Sequence, residues 1–545
     1  MSKESNLEKD ILEKLANDEN YSIRLFIASN PNTPPEILDK LADDKNVDIK
    51  QAVAKNSKVL ERTLTKLSSD EDYSVRMAVA EHINTSPSIL KKLSQDENVG
   101  VRAGIIRNPN VTKELLAKLS NDKDWYIKKE IAKNPKTPSD ILIKLSQDED
   151  KNVRRAVAEN ENTPINILEK LSQDKEWNVI TAVTENPNTP PKILEKLSQD
   201  EENPYAILYI TKNPSLPIDI LEQLSESEDS YVRKSVIENP STPKEVLEKL
   251  ALDKDDKIRI KLAIDARVSS PSVLEKLADD KQYIVRACVA ENPNVTPDLL
   301  EKLSNDKKWY VRSIVASNPN TPPETLEKLS QDDDYIVRIA LTKNPNTPPK
   351  VLERLANSEE WDIRYKVAHH PNTPIPVLEK LVDDDYWRVR KAVAGNPKTP
   401  ADILEKLSQD NYNEARKEIA ENKNTPIHIL DKLSNDKEKS VRESVASNPN
   451  TPINILEQLA NDEKYEVRKA VAENLKTPID ILEKLSQDNY NEVRAGIAKN
   501  SNTPIAVLKQ LVNEENIEVK YGIAKNPNIA KIDTLQPKKS ISPSM

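Results

Sequence analysis

Aliphatic residues come along this chain in two short bursts of different spacing, over and over. In the stretch that opens at Asn30 the first burst is Ile37, Leu38 and Leu41; the second is Ile49 and Val53. Spacings of i, i+1, i+4 and of i, i+4 each put one apolar stripe on a helix, with polar residues around it. The pattern predicts two short amphipathic helices, helix A ending at Leu41 and helix B running from Val47 to Lys55, with Asp44 in the turn between them. Thr33 reads as the N-cap of helix A, Pro34 as its first residue and Glu36 as the capping-box partner. The same device reads at Thr137 with Asp140, Thr242 with Glu245, Thr321 with Glu324, Thr399 with Asp402 and Thr477 with Asp480. Each helix B is stopped by an Asn-Pro step such as Asn30-Pro31, because a residue before proline is pushed out of the helical region.

The unit returns at a step of 26 residues, with anchors at Asn30, Asn56, His82, Asn108 and on to Asn526. Two one-residue slips fall between Asn186 and Asn213, and between Asn239 and an anchor read at Ala266. A helix of ~10 residues does not persist alone in water. One pair also has too little core, so neighbouring units must stack. The expected fold is all-α, an α-solenoid of about 20 two-helix repeats spanning residues 1–530, with 531–545 as a disordered tail.

The recurring phrase Asn-Pro-x-Thr-Pro-x-x-x-Leu-x-x-Leu-Ser/Ala-x-Asp, followed by Val-Arg-x-x-Val-Ala, resembles the variant leucine-rich repeat family. Residues 318–341 carry nearly all of it, with Ile336-Val337-Arg338 and Leu341 closing the unit. The resemblance covers roughly residues 5 to 530. It implies a right-handed superhelix in which one helix of each pair is open to being 3₁₀, and a binding or scaffold role. The Asp…Val-Arg half is also similar to HEAT repeats. Some members carry a cysteine cluster for an iron–sulfur centre; this chain has Cys288 alone, so that function does not carry over.

Composition narrows the chemistry. Charged residues make up 32% of the chain and the net charge is −10, so the charges are interspersed, which argues against a general polyanion binder. Five glycines cannot build a phosphate-cradling loop. One cysteine excludes an internal disulfide and a cysteine-based metal site. Of the histidines, His82 and His370 merely replace anchor Asn residues, and no His–Glu–x–x–His pattern exists. Acidic runs such as Asp383-Asp384-Asp385 fall in turns, where catalytic pairing is not expected. No catalytic residue, cofactor or metal is expected. The absence of an apolar leader or long apolar run makes a cytoplasmic location the default, with no membrane partner.

Read by column, four positions carry the functional question. An Arg column (Arg24, Arg76, Arg102 and onward) lies six residues after each turn Asp and reads as an inter-repeat Arg–Asp ladder rather than a phosphate track. A Lys column on helix A (Lys40, Lys66, Lys92) has Glu beside it in many repeats and reads as a solvated face. An aromatic column opens helix B, with an unbroken run at Tyr283, Trp309, Tyr335, Trp361 and Trp387. It has two readings, a packing staple or a ridge that anchors a partner. Helix B also carries a variable side, including Tyr310, Tyr365 and Arg388. These eight residues are the candidate partner-binding set. The expected partner is a protein or peptide; nucleic-acid binding along the Lys and Arg columns and a lyase-like helper of a chromophore are the alternatives. Around 200–270 Pro204 opens a helix B, and Ile207 and Ser227 replace the usual Arg and Asp, which predicts a kink.

Overall fold

The computed structural model describes residues 3–199, 204–267 and 271–529; the tail read as disordered lies outside them. All regular structure among the described residues is α-helical, in forty helices, and both helices of each pair are α. The fold is an all-α repeat solenoid. Among the described residues two compact units are formed, one from 3–104 together with 375–529, the other within 105–374.

Helix A is short, as in Pro35–Leu41, and helix B covers nine residues, as in Val47–Lys55. The stripe residues Ile37, Leu38, Ile49 and Val53 are fully buried, as are Ile23 and Ile27 of the preceding repeat. The aliphatic spine predicted from the spacing is therefore the core. The helix at Pro204–Ile210 takes the place of a helix B despite its proline, because proline is tolerated in the first turn, where no amide donor is needed.

The threonines are not caps in the Thr-Pro repeats, which corrects the reading of Thr33, Thr137, Thr242, Thr321, Thr399 and Thr477. The N-cap of Pro35–Leu41 is Pro34, in extended conformation, and Thr33 lies one residue further out. Thr33 Oγ1 donates instead to the Ile27 carbonyl at 2.5 Å, and Thr137, Thr242, Thr321, Thr399 and Thr477 donate in the same way to a carbonyl six residues back. These carbonyls lie in the last turn of helix B, where each also takes the N–H of the anchor residue, as Ile27 O takes Asn30 N–H at 3.2 Å, and the buried hydroxyl occupies the second lone pair. Where the threonine stands four rather than three residues after the anchor, as at Thr112 and Thr296, the hydroxyl does cap, accepting from Leu115 N–H and Leu299 N–H.

Two ladders run between repeats. In the first, anchor Asn side chains such as Asn56, Asn160 and Asn448 donate from Nδ2 to main-chain carbonyls of the repeat before them. Asn56 reaches Ala28 O at 2.8 Å and Asn30 O at 2.9 Å, while its Oδ1 accepts from Lys58 N–H at 3.0 Å. His370 imitates this, with Nε2 2.9 Å from Asn344 O and Nδ1 accepting from Asn372 N–H. The anchor read at Ala266 is in fact Asp265, which ends the helix Asp256–Ile264 and accepts from Arg267 N–H at 3.0 Å. The second slip therefore falls after Asp265, and Asn292 spans it to reach Ala263 O. An aspartate lacks the amide donors, and Arg267 supplies them. Its guanidinium pairs with Asp265 and donates to Ile237 O and Glu238 O at 2.8 and 2.6 Å.

The second ladder is the expected Arg–Asp one, with a detail the sequence does not show. Arg24 Nε and Nη2 fork onto the Asp44 carboxylate of the next repeat, and Nη1 donates back to Asp18 O and Glu19 O in its own turn. Arg416 with Asp436 and Arg468 with Asp488 repeat the fork. Where the turn residue changes, the partner changes with it: Arg494 takes Glu514, and Arg338 takes Glu360, because Ser358 stands in the turn. Burial by itself would raise the Asp436 carboxyl, but the Arg416 fork and the Glu438 N–H outweigh it and hold the group below its ordinary value. The bond to Asp436 raises Arg416 in turn, against burial.

Two outcomes follow from these ladders. Asn448→Ala removes the side-chain donor from the buried Ala420 carbonyl and leaves the Asn422 carbonyl with only its Thr425 N–H, at an expected cost of about 1–3 kcal/mol in a urea melt. Asp44, Asp96, Asp174, Asp253, Asp436 and Asp488 of the second ladder are depressed when folded, so the unfolded chain takes up protons first as pH falls. Their stabilisation is complete above the ordinary carboxylate range and fades below it. Thermal melts by circular dichroism should show Tm falling from pH 5 to pH 3, and a flat profile contradicts the assignment.

Candidate partner-binding face

The constant polar columns are occupied by the frame. Besides the Arg forks, helix-A lysines reach the turn of the preceding repeat: Lys302 Nζ is 2.7 Å from Asp279, Lys406 is 2.6 Å from Asp383, and Lys66 pairs with Asp43. They are solvated and matched with acids or amides, as a mixed surface should be. His428 pairs with Glu405 at 3.0 Å on the same surface. Among the described residues no three His, Cys, Asp or Glu side chains are placed to hold a metal. Open, polar-lined grooves lie beside the turns, for instance one lined by Asp122, Trp125, Lys128 and Asp148.

Helix B carries what is left over. In the unit 105–374, Tyr283, Trp309 and Tyr310 form one aromatic group across two repeats. Tyr310 meets Tyr283 edge-on at 6.1 Å and Trp309 edge-on at 5.8 Å, and Lys308 Nζ lies 6.0 Å from the Tyr283 ring centre. All three rings stay open to solvent, Trp309 by 43% and Tyr310 by 42%. Edge-to-face rings of this kind hold each other in place and leave their outer faces bare. One group of similar make recurs at Trp125, Tyr126 and Lys129.

Further along, the aromatics are tied more closely. The Tyr335 hydroxyl bonds the Asp362 carboxylate of the next repeat, and this bond, with some burial, pushes the phenol up to about 12. Trp361 meets Tyr365 at 6.5 Å, and Tyr365 meets His369 at 5.0 Å. In the other unit Trp387 is half-buried, stacked on Tyr412 at 5.7 Å with 16° between planes, with the Arg388 guanidinium 5.1 Å from its ring centre. Tyr465 stacks on Tyr490 at 4.6 Å in the same way.

The eight sequence-chosen residues therefore do not act alike. Trp387, Tyr335 and Trp361 are engaged by their neighbours, as a staple requires, whereas Tyr283, Trp309 and Tyr310 are joined mainly to each other and face outward. The sequence reading missed Tyr412 and Tyr490, which sit one position before the aromatic column and receive its rings from the previous repeat. Their signal was present as a second aromatic column at Tyr386, Tyr412 and Tyr490.

Truncation should separate the two roles. Trp387→Ala loses the Tyr412 stack and the Arg388 contact, with an expected loss of about 1–3 kcal/mol in a chemical melt. Trp309→Ala loses much less, since nearly half of the ring is already in water.

Residues 309–334 and 387–411 match the family model described as leucine rich repeat variant. No curated protein matches the chain. Among solved structures, one described as a leucine-rich repeat variant with a novel repetitive structural motif is 26% identical, covering 43% of this chain and 88% of its own, with a TM-score of 0.31. Yeast importin-beta (Kap95p) is 14% identical, covering 96% of this chain and 76% of its own, with a TM-score of 0.30. Two stretches of this chain, 309–334 and 387–411, thus match the leucine-rich repeat variant, and they lie in an all-α repeat solenoid.

Proposed function

We propose that this chain is a non-catalytic scaffold that holds a protein or peptide along the variable side of helix B, with Tyr283, Trp309 and Tyr310 as the anchor. The observation that carries this reading is a division of labour. The constant Asn, Thr, Arg and Asp residues are turned inward or sideways into inter-repeat bonds, while an outward aromatic group persists on helix B. Exposed tyrosine and tryptophan held rigid by neighbours offer large contact area at low entropic cost, which is the usual composition of a binding hot spot. Tyr365 and Arg388 extend the same variable side within their own repeats. A cytoplasmic location belongs to the same reading, and no helix among the described residues is long and apolar enough to cross a membrane.

Selection of displayed random peptides on the full chain tests the proposal. Enriched peptides should bind Trp309→Ala or Tyr310→Ala at least about tenfold more weakly, and Lys302→Ala and Lys328→Ala with unchanged affinity. Peptides that ignore both aromatic substitutions sink the anchor. A mobility shift with single- or double-stranded nucleic acid at low salt, lost on neutralising the helix-A lysines, would replace this reading with the nucleic-acid one.

A further inference from the structure

The first and last described repeats touch, and they touch in the register of the internal stack. The first repeat is Lys3–Ala16 with Tyr21–Ser29; the last is Ile505–Leu511 with Ile517–Lys525. Lys520 Nζ lies 2.5 Å from the Asp18 carboxylate, with both side chains largely buried. Lys509 Nζ lies 2.9 Å from Asp10, and Lys14 bonds the Asn513 side chain. Phe26, the one phenylalanine of the chain, meets Tyr521 at 5.4 Å, and Lys525 Nζ lies within 6 Å of both ring centres.

Each polar contact is the counterpart of an internal rung. Lys520 to Asp18 matches Arg24 to Asp44, where the spacing is 20 rather than 502. Lys14 to Asn513 matches Lys66 to Asp43, and Lys509 to Asp10 matches Asp39 to Arg62 with the charges exchanged, where spacings of 499 replace 23. In all three cases the two spacings total 522, which is twenty steps of 26 with the two slips added. Random contact between two ends would not give one register three times.

The joint also differs from the internal interfaces. At the Phe26 position several repeats have small residues such as Ala52, Ala78 and Gly104, though Tyr209 and Ile314 also stand there, and a methyl group added to Gly104 would come 3.1 Å from Ala80 Cβ. Phe26 fills that place with a ring. Lysine, as also at Lys50 and Lys128, replaces the forked arginine, so the buried ion pair is a single point contact on a flexible stem. Two ion pairs and an aromatic contact make an interface that forms in register; Lys509–Asp10 is exposed and open to screening, whereas Lys520–Asp18 is largely buried.

We propose that the first and last repeats are a cognate docking pair, a clasp in which the last repeat binds the first of the same chain through the register of the stack. The test uses the full chain with Cys288→Ala, carrying Asp10→Cys with Lys509→Cys, treated with a short bismaleimide at micromolar protein. The equivalent internal pair, Asp39→Cys with Arg62→Cys, serves as the reaction control. The expected result is a cross-linked single chain in yield comparable to the control, cut about tenfold by adding Asp18→Lys and Phe26→Ala. Absence of the end-to-end product when the control reacts overturns the clasp. Products that join only separate chains, or a yield indifferent to Asp18→Lys and Phe26→Ala, overturn it equally.

Discussion

Short helices leave most of their terminal amides and carbonyls without a partner inside the helix, and in a stack those ends are buried against the next repeat. A seven-residue helix such as Pro35–Leu41 is almost all ends. The rest of this structure follows from satisfying those groups from outside. Thr33 takes a carbonyl of helix B, Asn56 takes two carbonyls of the preceding repeat, and Arg24 takes two carbonyls of its own turn while gripping the next. Among the described residues no buried side-chain nitrogen or oxygen is left without a partner. The aliphatic spine supplies the driving force for burial, but these bonds decide which register it is buried in.

The same constraint explains where variation is allowed. A residue that closes a backbone group can change only if another residue takes over the bond, as Arg267 does beside Asp265 and as His370 does in place of an asparagine. The outer side of helix B closes no such group, so its residues are free to differ between repeats. Tyrosine and tryptophan gather there, partly as inter-repeat stacks, as at Trp387 with Tyr412, and partly as the outward group around Trp309.

Much of this was legible in the chain because periodic burial leaves a periodic text. Helix B from Val47 to Lys55 and the Arg–Asp ladder were both read from spacing alone. The threonines were misread because a Ser/Thr before an acidic residue looks the same whether it caps the helix ahead or closes the one behind; the choice depends on the bend at the proline. The anchor at Ala266 was misplaced because Asp265 and Arg267 carry the function of one asparagine in two letters. Tyr412 was passed over because stacking across repeats depends on a lateral offset between helices, which a column of sequence does not contain.

Arg24 joins three things at once: its own turn, its own helix, and the turn of the following repeat. Pulled along the chain, such a connection is loaded in shear, with both prongs of the fork resisting together, and it fails as a whole. A chain of these units behaves as a row of mechanical fuses. Each lost repeat would release about 90 Å of slack and relieve the load on the next.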